Sequence, residues 1–260
     1  MSDNREDRAS VSSAELEGRM YLYEKPELLI KEDHGKLGLS KVDNPYEFVR
    51  NVRMVPVVVT EIVSAQKYYP VVFSELENPV PIAVVGVLED ENLFVDESGR
   101  WDRLTYIPSY LRRHPFAFAR HSEDKFSVVV DRAAGVVSEN PEFPFFEGDE
   151  LSENTQAMVD FCSQYEAERQ RTNAFCARLK ELDLLIPQQS AYRPGGGEEE
   201  KPMANYVGVD VNRLNDLDKD ILQELHQSGS LASIFAHLFS LENWNRLLDR
   251  RAWRKQSAEA

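Results

Sequence analysis

From Arg53 onward the apolar positions come in short β-branched runs rather than at helical spacing. Residues 55–59 form one such run and predict a strand. Thr60 follows as the N-cap of a short helix over 61–68. "YPVVFSE" predicts a second strand, and "PIAVVGVLE" a third that is apolar enough to be buried on both faces. "NLFVDESGRW" predicts a strand and a tight turn, with Asp96 and Gly99 as turn formers and Trp101 returning to the core. "FAFAR" and "KFSVVVD" add two more strands. The gaps between the strands at 70–74, 80–88 and 92–96 are too short for parallel crossovers, so antiparallel pairing is expected.

After Glu150 the period changes. Phe161, Tyr165, Thr172, Phe175, Cys176, Leu179 and Leu182 recur mostly three or four apart and predict an amphipathic helix over 152–182. Glu166, Glu168, Arg169 and Arg171 fall on its other faces as solvated pairs. "PQQSAYRPGGGEEEKP" reads as a loop, placed at 187–203. "ANYVGVDV" is one further strand. Two helices close the chain, at about 212–227 and 231–251, separated by Gly229. The second carries an apolar stripe of Leu231, Ile234, Phe235, Leu238, Leu241, Trp244 and Leu248 and ends in the basic set Arg246, Arg250, Arg251, Arg254 and Lys255. Those cations suit the negative end of the helix dipole; a basic amphipathic helix can also dock on a membrane surface or a partner, and packing onto the sheet is the preferred expectation. The fold class is therefore α+β: a mainly antiparallel sheet from 53–131, covered by the long helix and the C-terminal helix pair. Residues 1–45 read as a polar tail and extended segment, and 46–260 as a single domain.

Charge narrows the partners. The chain carries 45 acidic and 30 basic side chains, for a net charge of −15. Such a surface repels phosphate backbones and argues against nucleic acid. Cys162 and Cys176, the two cysteines, fall in one predicted helix, where fourteen steps separate them by roughly 21 Å. That exceeds the ~7 Å that a disulfide tolerates, so buried thiols and a reducing compartment are expected. The first twenty residues are charged and hold no apolar run, and no stretch is long and apolar enough to span a bilayer. A cytoplasmic location without a transmembrane segment follows as the expectation. The two cysteines are distant and no His-x-x-x-His occurs, so the sequence offers neither a metal site nor a cofactor signature. No Gly-x-Ser-x-Gly elbow, P-loop or dinucleotide fingerprint occurs either.

One stretch stands out against the acidic background. Between Arg100 and Lys125 there are six Lys/Arg and three Asp/Glu, and within it "YIPSYLRRHPFAFA" sets Arg112, Arg113 and His114 among aromatic residues and prolines. Pro108 is compatible with a helix start, and Pro115 ends it. The adjacent arginines point about 100° apart. Tyr110, three residues before Arg113, can stack on its guanidinium. The candidate ligand-binding set is Trp101, Tyr106, Tyr110, Arg112, Arg113 and His114. In a functional reading one arginine grips a ligand anion while the other pairs with Asp96 or Asp131. In the structural reading both make internal salt bridges. His237, among apolar helix neighbours, reads as a satisfied packing residue.

"YYPVVFSE", "AVVGV", "LFVDESGRW", "YIPSYLRRHPFAFA" and "VVVD", followed by "FCSQYEAERQRTNAFCARLKELDLL" and "LQELHQSGSLASIFAHLFSLENWNRL", stand in the order and spacing of the bacterial SapC family. The resemblance covers about residues 45–250. It implies a link to surface-layer production and export, and gene neighbours resembling tryptophan halogenases, cupin-type hydroxylases and outer-membrane receptors. It carries no catalytic residues over. The family more often has Tyr where this chain has His114, which favours aromatic packing there. Two functions are expected to compete. The first is a non-catalytic cytoplasmic accessory or binding protein of surface-layer or outer-surface systems, taking a small anionic ligand or a protein partner. The second is an enzyme with an arginine-lined anion pocket acting on a peptide, amino-acid or sugar derivative. A deep pocket reached by Arg112 or Arg113 beside an acidic or His partner distinguishes the second from the first. Oligomeric state is left open.

Overall fold

The computed structural model describes residues 20–122, 125–193 and 199–259. The polar tail before residue 20 lies outside them. In chain order the first elements are β1 (Pro26–Leu28), α1 (Lys31–His34), β2 (Gly38–Leu39), β3 (Met54–Pro56), α2 (Ile62–Ala65), β4 (Val71–Phe73), β5 (Pro81–Val84) and α3 (Ser109–Arg112). Then come β6 (Phe116–Ser122), β7 (Lys125–Asp131), β8 (Val137–Ser138), β9 (Phe143–Pro144), β10 (Phe146–Glu147), β11 (Glu150–Leu151) and the long helix α4 (Glu153–Glu181). The chain ends with β12 (Leu185–Tyr192), β13 (Lys201–Val209), α5 (Val211–Asn215), α6 (Lys219–Gln227), α7 (Ser230–Ser240) and α8 (Asn243–Glu259). The fold is α+β and its ladders are antiparallel.

Packing groups the chain into two compact units. The first takes the described residues up to Lys41 together with His114–Cys162; the second takes Val42–Arg113 and everything from Ser163. Within 46–260 the chain passes between the units at Arg113/His114 and at Cys162/Ser163. Strands β6 and β7, expected in the same sheet as residues 53–84, instead build the three-stranded sheet β1-β7-β6 of the first unit. The physical reason is that β1, read as part of a loose extended segment, supplies β7 with its other neighbour: Leu28 pairs with Val129 and Pro26 with Asp131. Phe116, Val130, Phe145, Leu37 and Cys162 form this unit's core. Gly38 lies between β8 and β9, where a Cβ would come within 2.2 Å of the Phe143 carbonyl oxygen.

The second unit holds the five-stranded sheet β12-β13-β4-β5-β3. β12 and β13 occupy most of the stretch expected to be a loop at 187–203, and residues 194–198 of it lie outside the described residues. The third predicted strand is shorter than expected. The fourth, at 92–96, reduces to a bridge between Val95 and Trp101, because the 96–100 turn closes so early that no ladder can extend. Asp96 makes that turn by accepting from Ser98 N, Ser98 Oγ and Arg100 N, while Gly99 takes φ +72° against Asn44. The helix expected over 61–68 with Thr60 as its cap is entered through a 3-10 turn at Val59–Glu61 and continues as α2, which ends at Ala65. Val58 precedes that turn, and its N–H donates to Glu61 Oε2 at 3.0 Å. Carboxy-terminally, four helices stand in place of two. α7 lies against β13 and β4.

Candidate functional site

Glu61 organises the opening stretch. It is buried, its Oε1 accepts from Tyr106 Oη and from Ser109 N at 2.6 Å each, and its Oε2 takes the Val58 N–H. Ser109 is the first residue of α3, so an acid brought in from 48 residues upstream sits at that helix start. Arg112, exposed, folds back over this cluster. Its Nη2 donates to Ser109 Oγ (2.7 Å) and Tyr106 Oη (3.2 Å), its Nε donates to the Ile107 carbonyl (3.0 Å), and its guanidinium lies 5.7 Å from the Tyr106 ring centroid. Burial raises the Tyr106 hydroxyl's pKa, and the Glu61 carboxylate, which accepts its hydrogen bond and repels a phenolate, raises it further.

Arg113 points elsewhere, as adjacent helical residues must. It is buried with its guanidinium 4.3 Å from the Tyr110 ring and 4.4 Å from Tyr165 of α4. The Tyr110 stack was legible in the three-residue spacing; Tyr165 was not, because it lies 52 positions away. Burial, opposed by the Arg113 charge, raises the pKa of both tyrosines. His114 belongs to the first unit. It packs edge-on to Tyr23 at 5.3 Å, and its Nε2 lies 3.4 Å from Asp131 Oδ2. The two acids proposed as arginine partners are engaged otherwise: Asp96 in its own turn, and Asp131 with His114 and the N–H groups of Glu24, Lys25 and Ala133. Sequence reading missed Glu61. The available signal was a carboxylate three residues after Val58 at a helix entrance, the spacing of a capping interaction.

Trp101 belongs to a different constellation. It is buried, donates from Nε1 to Thr105 Oγ1 (3.0 Å), stacks on Phe94 and meets the edge of Tyr46. It lines a cleft of about 790 Å³ together with Phe94, Arg100, Arg103, Arg250, Trp253 and Arg254, and with the carboxylates of Asp96, Asp102 and Asp249. α8 supplies Arg250 and, three and four residues on, Trp253 and Arg254. Arg250 is anchored: it donates to the Leu93 carbonyl, pairs with Asp102 and lies 4.3 Å over Phe94. Arg254 is anchored to Glu91 and to the carbonyls of Asn92 and Val95. Arg103 is exposed and, among the described residues, makes no hydrogen bond or ion pair. Trp253 is 69% exposed at the rim, and Leu104, beside Arg103, is 85% exposed. A free guanidinium between exposed apolar surfaces can hold a carboxylate or other anion carried on an apolar body.

Among the described residues, no helix is long and apolar enough to cross a membrane. A family model described as SapC matches residues 29–247. No curated protein and no solved structure matches the chain.

Proposed function

The chain belongs to the SapC family, and from that premise we propose that it is a non-catalytic accessory protein, cytoplasmic, that serves surface-layer or outer-surface systems by binding. The observation that carries the reading is the division of labour between the two arginine clusters. Arg112 and Glu61 spend their polar atoms on the turn that holds them, with Ser109, Tyr106, Val58 and Ile107 as partners. Such a clasp is a fold element. The cleft beside Trp101 is the opposite case: its walls are fixed by anchored arginines, while Arg103, Leu104 and Trp253 face outward. Tryptophan and arginine at the rim of a preformed cleft are what a binding surface uses. The expected ligand is an anion attached to an apolar group, borne on a small molecule or at the surface of a protein partner.

The test compares the intact chain with Trp253→Ala and Arg103→Ala, both at exposed positions, in affinity capture from the bacterial lysate with mass spectrometry of proteins and metabolites. At least one species is expected to be lost from both variants by about tenfold or more, the effect of removing a central aromatic or arginine anchor. Identical capture by all three proteins sinks the cleft as the site. Chemical conversion of the captured compound by the purified chain sinks the non-catalytic reading.

A further inference from the structure

A second cleft in the second unit, of about 700 Å³, is lined by α4, the α6–α7 junction and the turn at Val59 and Thr60. Its walls are fixed by two contacts. Thr172 Oγ1 accepts the Val59 N–H at 2.8 Å, and Arg178 holds Glu224 of α6 through two bonds of 2.7 and 3.0 Å. Gly229, at φ +77°, ends α6 and begins α7 without a side-chain cap. α7 has eleven residues; the Ser230 N–H donates to Ser228 Oγ at 3.4 Å, and the N–H groups that follow it, with the positive end of the helix dipole, lie at the cleft. Around that terminus stand the hydroxyls of Ser228, Ser230 and Ser233 and the guanidinium groups of Arg171 and Arg178. Ser228 and Ser230 bond to each other.

Ser233 supplies the independent observation. It is only 7% exposed, it lines the cleft, and among the described residues its hydroxyl has no hydrogen-bond partner. Its Oγ is not among the side-chain atoms closed off from solvent, so the hydroxyl opens into the cleft with its bonds available to a ligand. Glu224 is the carboxylate of the lining, and both its oxygens are taken by Arg178. Arg171 gives one bond to Glu168 Oε1 at 2.8 Å, which leaves its other N–H groups for a ligand. What faces the space is thus a set of donors around a helix N-terminus, with Val59, Ala174 and Phe175 as an apolar wall.

We propose that this cleft binds a phosphoryl group, with Ser233, the α7 N-terminus and Arg171 as its contacts. A tetrahedral oxyanion offers several acceptors at once, which suits a lining of hydroxyl, guanidinium and helix N–H donors better than a planar carboxylate does. The site is separate from the Trp101 cleft and stands or falls without it.

The experiment is calorimetric titration of the full chain with inorganic phosphate and with phenyl phosphate, at ionic strength held constant with chloride. Saturable binding is expected, weakened at least about tenfold by Ser233→Ala and by Arg171→Gln. Tighter binding of phenyl phosphate identifies a phosphate ester resting on Phe175; tighter binding of inorganic phosphate identifies the free anion. Arg171 has a 70% exposed side chain, so Arg171→Gln carries the test even if Ser233→Ala fails to fold. Absence of saturable binding by either compound, or binding indifferent to the substitutions, overturns the proposal.

Discussion

His237 is fully buried in the middle of α7, yet both ring nitrogens are spoken for. The Val209 N–H donates to Nε2 at 3.0 Å, so the proton resides on Nδ1 and is donated to the Val71 carbonyl at 2.6 Å. Only the neutral ring can do both. Burial drives its pKa down from 6.5 to about 4, against the opposing pull of the Val71 carbonyl. The folded value lies below the unfolded one, so the contribution is complete above about pH 6.5 and is lost as the pH falls toward 4. The shift corresponds to about 3 kcal/mol. Denaturant unfolding measured at intervals between pH 7 and pH 4 should show this decline, and His237→Gln should flatten it; an unchanged slope in the variant would assign the decline to other groups. The sequence showed a satisfied packing histidine, because lone histidines on apolar helix faces need partners. It could not show which partners, since Val71 is 166 residues away. The same limit hid Glu61: a carboxylate in a short helix reads as solvated until Tyr106 and Ser109 are folded onto it.

At the scale of elements, period decided what was legible. The twenty-nine residues of α4 fall within one residue of the expected span at each end, and the pairs Glu166–Arg169 and Glu168–Arg171 form as spaced. β12 was missed because Pro187 and a polar composition outweighed its two-residue alternation. It is an edge strand, the place where a proline is tolerated and half the side chains face water. Of the C-terminal stripe, Ile234 and Trp244 are buried and Leu231, Leu238, Leu241 and Leu248 half-buried, while Phe235 turns outward and stacks on the exposed Phe239. The basic end of the stripe has a different cause from the one expected. Arg250, Arg251, Arg254 and Lys255 reach the 89–102 segment, where they hold Glu89, Glu91, Asp102 and three carbonyls. Together with the His237 and Ser240 bonds to Val71, and the Asn243 bonds to Gln66 and Tyr69, these contacts make α7 and α8 part of the sheet unit's core. Truncation after Gly229 is therefore expected to give insoluble or non-cooperatively unfolding protein by circular dichroism. A soluble truncation with a cooperative transition would make the two helices an appended binding element instead.

For the whole molecule, the two units have acid-sensitive groups of different kinds, and this orders their loss. The second unit depends on neutral His237, with its window at about pH 6.5 to 4. The first depends on Asp131. Burial tends to raise that carboxyl, but His114 and the N–H groups of Glu24, Lys25 and Ala133 outweigh it and hold the pKa at about 2. A depressed carboxylate contributes fully above its unfolded value of 3.8 and loses that contribution as the pH falls through about 2, for a shift of about 2 kcal/mol. Acid should thus weaken the second unit before the first. The molecule carries its own reporters: Trp101, Trp244 and Trp253, its three tryptophans, all lie in the second unit. On acid titration, tryptophan fluorescence is expected to change at higher pH than the loss of amide exchange protection in β6 and β7. Asp131→Asn should move the exchange transition, by removing the charge that His114 and three N–H groups bind, and leave the fluorescence transition in place. Coincident transitions that shift together in the variant would show the chain unfolding as one cooperative body.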